Sequence, residues 1–144
     1  MTTATTNKTN AEVMYGNVTN VQGATITTGY PISLTTTAAS LNGNNAVLPA
    51  ASQVKTFVGI SDDDIPDTQS GRYIAYGYAA SVHIFATGTS VTNAVDVAMG
   101  PGAASLGVNS TGVVDILSPV ISLAAIGAAI NSPGGYAQGF VRAM

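Results

Sequence analysis

Four carboxylates within six residues, Asp62-Asp63-Asp64-Ile65-Pro66-Asp67, are the densest group of ionisable side chains in the sequence. Oxygen donors at that density could hold Ca²⁺. The glycine and distal glutamate of a calcium loop are missing, however, and neighbouring side chains of an extended segment point in different directions. A solvated turn is therefore the favoured reading, and a cation site the alternative. Paired carboxylates also hydrolyse glycosides, but that chemistry needs a sugar cleft with aromatic platforms, and the chain has no Trp. His83 is the single histidine, set in Val82-His83-Ile84 so that alternation turns it away from its apolar neighbours. With no Cys and no second His, a transition-metal site there would depend on carboxylates alone. No nucleophile elbow is present for a Ser-His-Asp arrangement. Gly100-Pro101-Gly102 lacks a lysine and Gly134-Gly135 follows Pro133, so both read as turns and neither as a phosphate loop. The expectation is a non-catalytic protein with no cofactor and no metal.

The charge content points to association. Charged residues are 8% of the 144, against about a quarter in an ordinary soluble domain, and the net charge is −3. The four cations, Lys8, Lys55, Arg72 and Arg142, are too few to cover a nucleic-acid backbone. Mean hydropathy is +0.33, so uncharged Thr, Ser, Asn, Ala and Gly must supply much of the surface. Such a surface suits burial against other subunits, where a charge would cost desolvation energy. A free monomer kept in solution by hydroxyls and amides is the alternative. Residues 1–7 have neither the basic head nor the apolar stretch of a secretory signal. The longest apolar run, 120–130, is too short to span a bilayer as a helix, so no membrane partner is expected.

The elements that would position these residues are short and β-prone. Residues 1–10 form a Thr/Asn tract without apolar periodicity, either a disordered tail or an arm that orders against a neighbour. Val13-Met14-Tyr15 stops at Gly16-Asn17, 18–21 stops at Gln22-Gly23, and 24–28 stops at Gly29. Residues 31–35 alternate, Asn42-Gly43-Asn44-Asn45 is a strong turn cluster, and Ala46-Val47-Leu48 ends at Pro49. Residues 55–60 read as a buried strand, with 72–78 and 81–86 as two further strands beyond the acidic loop. Residues 122–130 carry the best helical composition, interrupted by Gly127. A weak internal repeat sets 57–60 and 71–78 beside 125–128 and 135–141, each an apolar-Gly strand leading to a Gly-aromatic strand. Chance similarity in a Gly- and Ala-rich chain is the competing explanation, and a real repeat makes 125–128 a strand. The expected fold class is all-β, a small antiparallel β-barrel or sandwich with an extended N-terminal arm: arm over 1–12, one barrel domain over 13–144. Within it, Tyr76 and Tyr78 share a strand face near Tyr73, as interface residues or as barrel-rim packing.

Val58-Gly59-Ile60 with Asp64-Ile65, then 71–77, then 94–100, then Ile126-Gly127 through Val141, together resemble the small β-barrel decoration (cement) proteins of tailed-phage capsids. The resemblance spans about 57–144 and rests on small and apolar residues. It implies a virion structural protein, assembled in the host cytoplasm and seated on the outer capsid surface. Its partners would be the major capsid protein and further copies of itself, a trimer before a dimer. It also implies an N-terminal arm gripping the capsid, which makes Thr2, Thr3, Thr5, Thr6, Asn7 and Lys8 candidate contacts beside Tyr76 and Tyr78. Open strand edges are expected to take part, since an unpaired edge can accept a partner strand. Residues 1–50 depart from the family pattern in their Thr/Asn content and the insertion around Asn42, which leaves their strand order open. The alternative function is a carbohydrate- or receptor-binding head of a phage fibre or bacterial surface protein.

Overall fold

A computed structural model of the chain describes residues 12–35, 43–49, 56–85, 98–102, 105–108, 120–122 and 135–143. The described residues are all-β, without an α-helix. The strands are β1 (Met14–Asn20), β2 (Pro31–Leu34), β3 (Asn45–Val47), β4 (Phe57–Ser61), β5 (Ser70–Phe85), β6 (Ala98–Gly102), β7 (Ser105–Val108), β8 (Val120–Ser122) and β9 (Gly135–Arg142). They pair in the order β1-β3-β2-β4-β5-β7-β6-β8-β9, with β5 also bonded to β1 and to β9. The β1–β5 ladder closes a five-stranded barrel from β1, β3, β2, β4 and β5. The β5–β9 ladder closes a second cycle through β7, β6 and β8. The pairings are antiparallel except β1–β3 and β5–β7, which are parallel. Closure demands one parallel pairing in each cycle, because the strand direction must reverse an even number of times around a ring and five pairings cannot all be antiparallel. The N-terminal arm over 1–12 lies outside the described residues except for Glu12.

Strand β5 runs 16 residues, about 50 Å, where the sequence reads as two strands. Ala79-Ala80 between the two halves carries no turn chemistry, and the chain adjusts with bulges. Met14 faces Tyr76 while Tyr15 faces Ile74, leaving Ala75 as an extra residue. A second irregularity falls between Ala79 and Val82. Each bulge shifts the in-out alternation, so Ile74 is buried while Tyr76, of the same parity, is exposed.

Other punctuation in the sequence also lies inside strands. Gly16-Asn17 is within β1, and the Tyr73 ring occupies the space a Cβ at Gly16 would need. The same ring lies beside Gly59 of β4, where φ is +156° and a Cβ would overlap the Ile74 carbonyl. Tyr73 thus covers a glycine on each neighbouring strand, an aromatic lid over backbone that lacks side chains. Gly100-Pro101-Gly102, read as a turn, is the end of β6. Among the described residues β8 pairs with Ala98 and Met99 and not with Pro101, the residue without an N–H. The 24–28 run makes no strand and contributes a single bridge, Ile26 to Ile65.

Two apolar clusters hold the described structure. Val18, Ile26, Ile32, Ala46 and Ile65 form one, flanked by Val58 and Tyr73. Phe57, Ile60, Ile74, Ala79, Val82, Ile84 and Val141 form the other. Strands β4 and β5 therefore carry packing on both faces, through Ile60 and Ile74 on one side and Val58 and Tyr73 on the other. This double burial explains the nearly continuous apolar reading of 57–60.

Candidate functional site

The acidic loop is built from the strand ends inward. Asn20, fully buried at the end of β1, donates through Nδ2 to the carbonyls of Ala24 and Ile65, both at 2.7 Å. Its Oδ1 accepts from the Gln22 amide at 2.8 Å, and its backbone bonds Gln69 and Thr68. One amide side chain thus joins the 21–30 segment to the 62–69 loop. Between them Ile26 and Ile65, both fully buried, exchange backbone hydrogen bonds of 2.9 and 2.8 Å. Each carboxylate then takes its own partner. Asp64 accepts from the Thr28 amide at 2.7 Å and the Thr28 hydroxyl at 2.8 Å. These two bonds, the backbone one foremost, lower its pKa from the ordinary carboxylate value. Asp67 accepts from the Gly23 amide at 2.9 Å. Asp62 accepts from Arg72 Nε at 2.8 Å, and Asp63 lies 3.9 Å from the same nitrogen.

The loop is therefore a latch across the mouth of the first barrel. Its carboxylates diverge onto backbone donors and one guanidinium, and among the described residues no three acidic or histidine groups converge as a metal site would require. Nothing in the sequence pattern singled out Asn20. It lies inside the 18–21 run, with one residue between it and the Gln22-Gly23 turn signal.

His83 is buried in an aromatic stack. Its ring lies parallel to Tyr30, with centroids 4.1 Å apart, and meets Tyr136 edge-on at 5.2 Å. Its backbone N–H donates to the Gly29 carbonyl at 2.8 Å. Alternation predicted that His83 would face away from Val82 and Ile84, yet all three are buried. The approach to β2 covers the second face of β5 at this point. Burial raises the Tyr136 pKa, with Tyr30 and Asp64 adding to the shift.

Tyr136 nevertheless stays 53% exposed beside His83, and four other exposed large side chains lie on β1 and β5. Met14 and Tyr15 on β1 are 59% and 52% exposed, and Tyr76 and Tyr78 on β5 are each 36% exposed. Met14 stands opposite Tyr76, Tyr78 opposite Phe140 and Tyr76 opposite Arg142. Tyr76 meets Phe140 edge-on at 5.1 Å, and the Arg72 guanidinium lies 4.6 Å above the Tyr15 ring. The bonds to Asp62 hold Arg72 more firmly in its charged form than usual. The outcome is a ridge of Met14, Tyr76, Tyr78 and Phe140 crossing β1, β5 and β9, with Arg142 at one end. Tyr15 lies opposite Ile74 beyond the bulge and packs with Arg72.

Of the candidate contacts, Tyr76 and Tyr78 lie together on this ridge. Thr2, Thr3, Thr5, Thr6, Asn7 and Lys8 lie outside the described residues. Open strand edges are not found as expected. Every described strand has a partner on both sides over at least part of its length, because the cycles close. No family model matches the chain, and no curated protein matches it.

Proposed function

We propose that the protein is a non-catalytic virion structural component, a decoration (cement) protein on the outer surface of a tailed-phage capsid. The observation that carries this reading is the exposed ridge of Met14, Tyr76 and Tyr78 on a chain with only 8% charged residues. Tyrosine buries a large area at small conformational cost while its hydroxyl stays hydrated, which suits a protein–protein contact. The all-β fold agrees with the small-barrel resemblance of 57–144. The ridge would dock on the major capsid protein, and copies of the chain would associate, as a trimer before a dimer. The 1–12 arm would add a second contact. Closed cycles make side-chain packing the mode of docking in place of strand addition. Avidity over many lattice copies makes a modest contact sufficient.

The test is co-sedimentation of the purified protein with expanded, undecorated capsids of the phage that carries its gene. Saturable binding to the capsid exterior is expected. A chain that stays in the supernatant and scatters light as a monomer would overturn the proposal. Binding on a glycan array instead would favour the carbohydrate- or receptor-binding head.

A further inference from the structure

The two cycles match strand for strand, and in register apart from the bulges at Met14/Tyr15, Ile32/Ser33 and Ala79/Val82. Shifting the numbering so that β1 to β5 become β5 to β9 turns every pairing of the first cycle into one of the second, including the parallel one. Pro31 faces Ile60 and Ile32 faces Gly59, as Ala98 faces Ile121 and Met99 faces Val120. Leu34 faces Ala46 as Pro101 faces Leu106. Ile60 faces Ile74 and Ser61 faces Tyr73, as Ile121 faces Phe140 and Ser122 faces Gly139. Tyr15 faces Ile74 as Tyr78 faces Phe140. Asn20 faces Ala46 as Ile84 faces Leu106. These equivalences are consistent around the cycle once one extra residue is allowed in β5 between Ala79 and Val82, where the β5–β9 ladder has its bulge. They relocate the sequence repeat: β4 corresponds to β8 at Val120–Ser122, while 125–128 lies outside the described residues.

Strand β5 serves both units. Ser70 to Tyr76 closes the first cycle as its last strand, and Tyr76 to Phe85 opens the second as its first. The bulge at Ala75 lies where one role ends and the other begins. We infer that the chain is a tandem pair of one five-stranded unit merged through β5, and that the shared strand makes the two units open as a single cooperative body. Two barrels joined by a loop could open separately. Here the first unit cannot release β5 without removing the strand that closes the second. The Ile60, Ile74 and Val141 cluster, drawn from both cycles, reinforces the coupling. This inference does not depend on the identity of any partner.

Amide hydrogen exchange on the intact chain tests it, using Ile32→Val. Ile32 is fully buried in β2, in a cluster whose buried members all precede β5, so an effect on β9 must travel. The variant removes one methylene and folds under conditions that preserve the parent. Protection of β2 and β4 amides is expected to fall roughly twofold to tenfold. Protection at Gly139 and Val141 in β9 is expected to fall by the same factor. Loss in β2 and β4 with parental protection in β9 would show that the units open independently and would overturn the inference.

Discussion

At the scale of single residues, side chains of one type take different roles according to what lies opposite them. Tyr73 covers two glycines, Tyr30 stacks on His83, and Tyr76 and Tyr78 face outward. If the outward pair anchors the partner contact, Tyr76→Ser with Tyr78→Ser weakens capsid co-sedimentation about tenfold or more. The thermal midpoint falls as well, since Tyr76 loses its contact with Phe140, so attachment is compared at a temperature where the variant is fully folded. Unchanged attachment would remove the ridge from the docking surface. Asp64 offers a pH signature. Its folded pKa is depressed by Thr28, so its contribution is complete above the unfolded value of about 3.9 and is lost as pH falls through the lower folded value. Asp64→Asn should therefore lower Tm at pH 7, with the difference from the parent shrinking below about pH 4. A difference that persists unchanged at pH 2.5 would assign the effect to packing. The acidic cluster was plain in the sequence. Its divergence onto Thr28, Gly23 and Arg72 was not, because those partners lie up to 44 residues away.

At the scale of elements, loops and strands hold each other through a few buried polar contacts. Asn20 is the clearest, with two carbonyls and an amide on one buried side chain. Asn20→Ala leaves the Ile65 and Ala24 carbonyls without that donor, at an expected cost of about 2–3 kcal/mol. Urea unfolding measures it, and a loss under 0.5 kcal/mol would mean that water replaces the amide. Strand existence was largely legible: β2, β3, β4 and both halves of β5 fall where alternation and apolar runs predicted. Strand ends were not. Gly16-Asn17 and Gly100-Pro101-Gly102 carry turn chemistry yet lie in strands. In the first case a cross-strand aromatic ring needs the space, and in the second the described part of β8 pairs with Ala98 and Met99 and not with Pro101. Neither condition is local, so neither appears in a window of sequence.

At the scale of the whole molecule, closure into two cycles through one long strand removes the free edges that would invite strand addition. On the proposed function, attachment would then fall to side-chain surfaces and to the 1–12 arm. Deleting residues 1–10 is expected to leave the unfolding midpoint unchanged and to weaken capsid attachment, measured by the same co-sedimentation. Equal attachment of the shortened chain would leave the ridge as the docking surface without the arm. What the residues determined alone was the class: many short β-prone runs and few charges call for an all-β protein with an uncharged surface. Of the expected repeat, the Gly-aromatic segments 71–78 and 135–141 fall on the corresponding strands β5 and β9, while 125–128 lies outside the described residues. Only the tertiary structure decided that β5 is one strand serving two units, that Asn20 is a hub and that Tyr76 and Tyr78 crown a ridge. Composition and period are properties of neighbouring residues, whereas register, bulges and cycle closure depend on which distant backbone comes to lie alongside.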